Sequence, residues 1–173
     1  MPEIDKEKSC CFFGHRKIDV TEELKNKLSE IIENLIVNEN VDTFLFGSKS
    51  QFDDLCHKIV TELKEKYPHI RRVYVRSAFQ HIPDWYEDSL LEYYEETYFP
   101  EKIENSGRAS YVERNQEMIN KSDFCVVYYD ENYLPPRRKN SRRDLTDYQP
   151  KSGTAVAYNY AKRQGLKIIN TIN

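Results

Sequence analysis

Three short segments of the chain combine glycine with small hydroxyl or basic residues, a composition suited to holding a phosphate. They are residues 14–16, 47–53 and 152–154. Glycine lets an anion approach the backbone closely, and the free N–H groups and dipole of a helix N-terminus favour negative charge. An arginine such as Arg16 can grip a phosphate through two parallel hydrogen bonds. Each segment alone is also compatible with an ordinary structural turn, so the prediction depends on their being brought together.

Asp53 is the carboxylate that follows the second of these segments. We expect it in the first turn of a helix, which allows two interpretations. It can accept a hydrogen bond from a ribose hydroxyl or serve as a weak candidate for a catalytic base. It can instead stabilise the helix N-terminus through the dipole, a contribution of about 0.3–1 kcal/mol.

Short apolar runs without alternation predict the strands that position these segments. They occupy residues 10–13, 43–46, 73–75, 124–129 and 167–169. Runs of this kind are typical of strands buried on both faces of a parallel sheet. Because amphipathic helical patterns lie between them, we expect right-handed βαβ units. The predicted fold is a three-layer, Rossmann-like α/β domain with a mainly parallel sheet, in which the three segments meet at the carboxyl edge.

Capping residues predict where several helices begin and end. We expect Asp19 to open the first helix and Asp84 the third, and Ser110 with Glu113 to form a capping box for the fourth. The last helix should run from about Ser152 to Gln164, with Gly165 as its stop.

Two segments depart from the alternation of strands and helices. Residues 84–104 contain eight acidic residues and one lysine, interleaved with aromatic residues. We expect an acidic helix there, with its aromatic stripe packed on the domain or on a partner. Residues 131–151 contain five basic residues between Arg137 and Arg143. This segment is expected to be a long mobile loop, which could close over a phosphate, contact nucleic acid or be merely solvated.

Composition limits the class of protein. A length of 173 residues suits one domain, 1–173, and a net charge of -3 disfavours a dedicated nucleic-acid-binding protein. No apolar run approaches the ~20 residues of a membrane span, so we expect a cytoplasmic protein without membrane contact. The four cysteines and four histidines lack zinc spacing, so neither a metal nor a cofactor is indicated.

Taken together, the motifs resemble the SLOG superfamily, a Rossmann-like group that includes the lonely-guy phosphoribohydrolases and DNA-processing protein A. The resemblance is carried by residues 11–16, 47–53, 113–118, 122–123 and 152–154, in this order along the chain. A stand-alone bacterial branch of that group is most similar. The resemblance implies a domain that binds nucleotides or nucleotide-derived ligands, with Arg114 facing the phosphate or ribose.

One departure from that group bears on catalysis. Gly153 and Thr154 match the second motif of the phosphoribohydrolases, but Ala157 stands where those enzymes carry glutamate. Cleavage of an N-glycosidic bond needs a carboxylate, which alanine cannot supply. We therefore expect the protein to bind or sense a nucleotide-derived small molecule in a regulatory role. The expected ligand-binding residues are Gly14, His15, Arg16, Gly47, Ser48, Asp53, Arg114, Gly153 and Thr154.

Two alternatives stay open. The protein could be an N-glycosidase or phosphoribohydrolase that uses another carboxylate, such as Asp53. It could also be a ligand-free interaction module, for which a homo-oligomer is the natural partner because the chain offers both an acidic and a basic segment. Binding to nucleic acid gains from the resemblance to DNA-processing protein A, but the overall acidity disfavours it.

Overall fold

The computed structural model describes residues 2–104, 107–133 and 152–172. Within these ranges the chain forms one six-stranded sheet in which every strand pair is parallel, in the order β4-β3-β2-β1-β5-β6. The strands are β1 (Ser9–Gly14), β2 (Thr43–Phe46), β3 (Arg71–Val75), β4 (Glu96–Tyr98), β5 (Phe124–Tyr128) and β6 (Lys167–Asn170). The helices are α1 (Glu22–Asn38), α2 (Gln51–Lys66), α3 (Asp84–Leu91), α4 (Arg108–Asn120) and α5 (Gly153–Arg163). The three-layer Rossmann-like prediction is confirmed.

Strand β1 lies between two apolar cores, as its unbroken run of apolar residues predicts. Cys10 and Phe12 pack with α1 and α2 on one face of the sheet. Cys11 and Phe13 pack with α4 and α5 on the other face. Successive side chains of a strand point to opposite faces, so a strand covered by helices on both sides needs apolar residues at every position.

The acidic segment is not one helix. Helix α3 ends at Leu91, and the chain then forms β4, an edge strand that the sequence analysis missed. Tyr98 is buried in the core, whereas Trp85 and Tyr93 are 72% and 58% exposed. The expected packing of the aromatic stripe is thus correct only in part. Strand β4 has three residues and begins with Glu96, which pairs with Arg71 at 3.1 Å, so it lacks the apolar run that identifies the other strands.

The N-termini of three helices also differ from those predicted from the sequence. Thr21, not Asp19, caps α1, and its hydroxyl accepts a hydrogen bond from the Leu24 N–H. Helix α3 begins after Pro83 without a side-chain cap. Ser110 lies inside the first turn of α4, where its hydroxyl donates to the Gly107 carbonyl, so the predicted capping box does not form.

Helix α5 has the predicted ends. The Ser152 hydroxyl accepts a hydrogen bond from the Ala155 N–H at 3.0 Å. After the cap at Gln164, Gly165 adopts the left-handed conformation that glycine favours, with φ of 77°.

The strand order places a crevice at the carboxyl edge of the sheet. From β1 the chain adds β2, β3 and β4 on one side, then returns to add β5 and β6 on the other. The order therefore reverses beside β1, and ligands of open α/β sheets bind outside the carboxyl ends of the strands at such a point. Among the described residues, no helix is long and apolar enough to span a membrane.

Candidate functional site

A cavity of about 1220 Å³ opens at this edge of the sheet. It lies beyond the ends of β1, β2 and β3, and α4 and the N-terminal turn of α5 form part of its wall. Eight of the nine predicted ligand-binding residues line it: Gly14, His15, Arg16, Gly47, Ser48, Arg114, Gly153 and Thr154. Asp53 is not among the lining residues.

The described wall of the cavity carries positive charge and no negative charge. Its described lining residues include Arg16, Lys49, Arg76 and Arg114 but no aspartate or glutamate. The whole chain carries a net charge of -3, so this concentration of positive charge is local. Such a wall favours an anionic ligand.

Gly47 connects Arg114 to Asp53 through its own peptide groups. The Gly47 N–H donates to Asp53 Oδ2 at 3.3 Å, and Arg114 Nη1 donates to the Gly47 carbonyl. A Cβ atom at Gly47 would lie 2.6 Å from Arg114 Cδ and 2.9 Å from Met118 Sδ. Glycine is needed here because the arginine and methionine of α4 pack directly against the loop after β2.

Arg114 is 4% exposed, and burial lowers the pKa of its guanidinium. Its Nε donates to Asn115 Oδ1 at 3.0 Å, and its Cζ lies 5.6 Å from the centre of the Tyr111 ring. These contacts show that Arg114 orders the loop at Gly47 and contributes positive charge to the cavity wall. Its predicted contact with a phosphate or ribose stays a prediction.

Asp53 lies beneath the cavity rather than on its surface. It is 3% exposed, and its Oδ1 has no hydrogen-bond partner among the described residues. Burial raises the pKa of its carboxyl to about 7, partly offset by the hydrogen bond from Gly47 and by the charge of Arg114. Its backbone N–H donates to the Ser50 hydroxyl, the N-cap of α2. These contacts favour a role in supporting the loop; its predicted contact with a ribose stays a prediction.

His15 joins the ends of β1 and β5. It is 2% exposed, and its Nε2 accepts a hydrogen bond from the Asp130 N–H at 2.9 Å, which places the proton of the neutral ring on Nδ1. Burial lowers the pKa of His15, and Tyr133 stacks on its ring at 3.9 Å between centroids. Nδ1 has no partner within the described part of the chain, so a ring N–H donor is left unsatisfied in a residue that lines the cavity.

Two helices begin at the cavity, so their N-terminal N–H groups lie at the carboxyl edge of the sheet. Ser50 caps α2 and Ser152 caps α5, and both line the cavity. A Cβ atom at Gly153 would meet nothing within 4 Å, so the missing side chain leaves open space at the start of α5. Ala157, one turn further along the helix, is buried and also lines the cavity.

Gly14 has a role that the sequence analysis did not identify. A Cβ atom there would lie 2.3 Å from the ring of Phe52. The glycine therefore lets α2 pack against the end of β1, whether or not a ligand also approaches it. A single sequence gives no signal for this contact, because it depends on how the helix docks on the sheet.

The sequence analysis also missed the aromatic rim of the cavity, formed by Phe79, Trp85 and Tyr111. These side chains are 78%, 72% and 51% exposed. Phe79 adopts a φ of 61°, a conformation that is strained for a bulky residue and is enriched at ligand-binding sites. Of these three residues only Trp85 belongs to the aromatic segment 84–104, for which the sequence predicted packing rather than a rim.

The predicted mobile loop is tested only at its start, where residues 131–133 form a turn. Residues 134–151, including the basic cluster, lie outside the described residues. Within the described ranges, no three His, Cys, Asp or Glu side chains are grouped so that they could hold a metal ion.

The comparisons with known proteins place this arrangement in a family. No curated protein matches the sequence. The fold is similar to a solved structure of DNA processing protein A from Helicobacter pylori, described by its single-stranded DNA binding mode. The TM-score is 0.56 at 12% sequence identity, over 94% of this chain and 64% of that one, so the present chain spans less than two thirds of its neighbour. The sequence matches the YspA SLOG family over residues 6–160, and the chain belongs to that family.

Proposed function

We propose that this protein binds a nucleotide or a nucleotide-derived small molecule in the cavity at the carboxyl edge of its sheet. The observation that carries the proposal is the wall of four basic side chains with no carboxylate among its described residues. A ligand with negative charge is the natural occupant of such a wall. The role that fits best is sensing or regulation.

The phosphate of the ligand has a suitable position at the start of α5. The helix N-terminus offers unpaired N–H groups and the positive end of the dipole. Gly153 leaves open space there, and Thr154 adds a hydroxyl. Arg16 is exposed at the rim, and its side chain has no partner among the described residues, so it is available to a phosphate.

The base of the ligand has a suitable surface in the aromatic rim. Trp85 and Tyr111 are exposed and line the same cavity as the basic side chains. Aromatic rings stack on any base, which contributes about 1–3 kcal/mol per base. A cationic wall facing aromatic rings therefore matches both halves of a nucleotide.

Binding is favoured over turnover by the residue at position 157. Ala157 lines the cavity, where the resembling phosphoribohydrolases carry glutamate. The enzymatic alternative requires another carboxylate, and the candidate Asp53 is buried below the wall. Release of free base from nucleoside monophosphates, lost in Asp53→Asn while binding is kept, would establish that alternative.

Single-stranded nucleic acid is the second candidate ligand, and the exposed aromatic rim is the observation that favours it. Phe79 and Trp85 line the same cavity as the basic side chains, and aromatic rings with positive charge are the combination that holds single strands. The Helicobacter pylori protein of similar fold binds single-stranded DNA. The net charge of -3 favours the small molecule over the strand.

A thermal-shift screen tests the proposal. The panel contains AMP, ADP, cyclic nucleotides and ADP-ribose, with adenosine and a short oligothymidylate for comparison. A ligand at about a hundred times its Kd should add roughly 2.7 kcal/mol to the free energy of unfolding. Arg16→Gln should weaken the response, while Lys58→Gln, on the exposed surface of α2 outside the cavity, should leave it unchanged.

The outcomes separate the hypotheses. A response to a nucleotide but not to adenosine supports the proposal. A response to the oligothymidylate alone would instead support a nucleic-acid-binding protein. If nothing in the panel raises the Tm, the proposal is wrong and the interaction module becomes the better hypothesis.

A further inference from the structure

We propose that Arg76 is the anchor for the phosphate group of the ligand. This inference rests on the proposed function, because it names the residue that binds the charged part of the nucleotide. The sequence motifs assign phosphate contacts to other residues, and Arg76 belongs to none of them. Arg76 and Arg72 lie at opposite ends of β3 and differ in how their hydrogen-bond donors are satisfied.

Arg72, near the start of β3, has its hydrogen bonds satisfied inside the protein. Its Nε donates to Glu95 Oε1 at 3.1 Å and its Nη2 to Glu95 Oε2 at 2.7 Å. Its Nη1 donates to the Thr61 hydroxyl at 2.9 Å. All three guanidinium nitrogens therefore have partners, and Arg72 is a structural residue that joins β3, α2 and the chain leading into β4.

Arg76 follows the last residue of the same strand and lacks such partners within the described part of the chain. Its Nε and Nη1 are both buried, and neither has a hydrogen-bond partner among the described residues. Its backbone N–H donates to the Tyr98 carbonyl at 2.9 Å, which extends the pairing with β4 and fixes where the side chain starts. Buried donors of this kind are costly while they are unpaired.

The location of Arg76 indicates what satisfies those donors. Arg76 lines the cavity, and no carboxylate is found among the described lining residues. Gly14, the last residue of β1, and Ser48, in the loop after β2, line the same cavity as Arg76. An anion bound in this part of the cavity would reach the guanidinium, the loop after β2 and the end of β1. Arginine is well suited to hold phosphate oxygens because its planar N–H donors match their geometry.

Replacing an arginine whose buried donors lack partners should change the stability of the protein in the opposite direction to replacing an arginine whose donors are paired. Arg76→Met removes two buried donors that have no partner among the described residues, so the ligand-free protein should keep or gain stability. Replacing Arg72 removes its side-chain hydrogen bonds to Glu95 and Thr61 and leaves Glu95, among the described residues, only Lys64 and the backbone N–H of residue 72, so that variant should lose stability. Arg72→Met is therefore the matched control for Arg76→Met, since Arg72 lies on β3, Arg76 directly follows this strand, and both variants lose the same atoms.

The test measures the Tm of the wild type, Arg76→Met, Arg76→Lys and Arg72→Met without ligand and with AMP, inorganic phosphate and adenosine. We expect Arg76→Met to match or exceed the wild-type Tm without ligand and to bind AMP and phosphate at least tenfold more weakly. Arg76→Lys should recover part of the affinity. Arg72→Met should have a lower Tm but keep its affinity for AMP.

Two results would overturn the inference, and only the second of them also counts against the proposed function. If the wild type and Arg76→Met bind AMP equally well, Arg76 is not the anchor, although the proposed function stands. If the wild type responds to neither AMP nor phosphate, the proposed function fails for these ligands and the inference fails with it.

Discussion

Replacing Asp53 with asparagine should change how the stability of the protein depends on pH. Burial raises the pKa of this carboxyl to about 7 from 3.8. Below pH 3.8 both the folded and the unfolded chain hold the proton. As the pH rises, the unfolded chain releases the proton first, and the advantage of the folded state falls until the pH passes about 7.

The magnitude follows from the size of the pKa shift. One pKa unit is worth 1.36 kcal/mol, so raising the pKa to about 7 makes the wild type lose about 4 kcal/mol in total between acidic pH and pH 8. Between pH 5 and pH 8 the same linkage gives a loss of about 2.5 kcal/mol. An asparagine side chain in place of this carboxyl would have no proton to lose and could still accept the hydrogen bond from the Gly47 N–H, so Asp53→Asn should escape this loss.

Urea unfolding followed by circular dichroism at pH 5, 6, 7 and 8 measures the effect. The free energy of unfolding of Asp53→Asn, minus that of the wild type, should increase by about 2.5 kcal/mol across this range. Asp54→Asn is the control, because Asp54 is exposed on the same turn of α2 and its curve should parallel the wild type. A difference that stays constant from pH 5 to pH 8 would refute the reasoning, since it would mean that Asp53 is already ionised in the folded state across this range.

Three further substitutions test the packing around the cavity by urea unfolding. Gly14→Ala should cost about 1–3 kcal/mol, because the new Cβ would lie 2.3 Å from the Phe52 ring; unchanged stability would contradict this contact. Gly153→Ala should leave stability unchanged or raise it by up to about 1 kcal/mol, because the Cβ meets nothing within 4 Å, yet it should weaken the thermal shift with AMP. Ser152→Ala should cost about 1 kcal/mol through loss of the hydrogen bond from the Ala155 N–H, and full stability would mean that water replaces the cap.

The sheet could be predicted from the sequence wherever burial on both faces leaves a continuous apolar run. Strand β1 is the clearest case, since every one of its residues is buried. Strand β4 could not be found this way because it lies at the edge of the sheet, spans three residues and carries Glu96. Its position depends on a tertiary partner, Arg71, that no local pattern reveals.

The candidate site could be predicted as far as topology determines it. Glycine-containing loops after β1 and β2 and the start of α5 must meet at one edge of a parallel sheet, and eight of the nine predicted residues do line one cavity. How deeply each of these side chains is buried was not predictable. Asp53 and Arg16 are both close to predicted loops, but one is buried beneath the wall and the other is exposed at its rim.

The proposed role of Arg76 could not be singled out from the sequence either. The sequence places both Arg72 and Arg76 beside the same short apolar run. Only the structure distinguishes them, since Glu95 and Thr61 reach the first and no described side chain reaches the buried nitrogens of the second. Hydrogen-bond satisfaction is a property of the fold that the residue type does not reveal.

The fluorescence of Trp85 gives the most direct test that the cavity binds a nucleotide. Trp85 is the single tryptophan of the chain, lines the cavity and is 72% exposed. Titration of the wild type with AMP, ADP and ADP-ribose should produce, for at least one of them, a saturable change in emission that Arg76→Met weakens and adenosine does not reproduce. An emission spectrum that stays constant with all three nucleotides up to millimolar concentration would contradict the account.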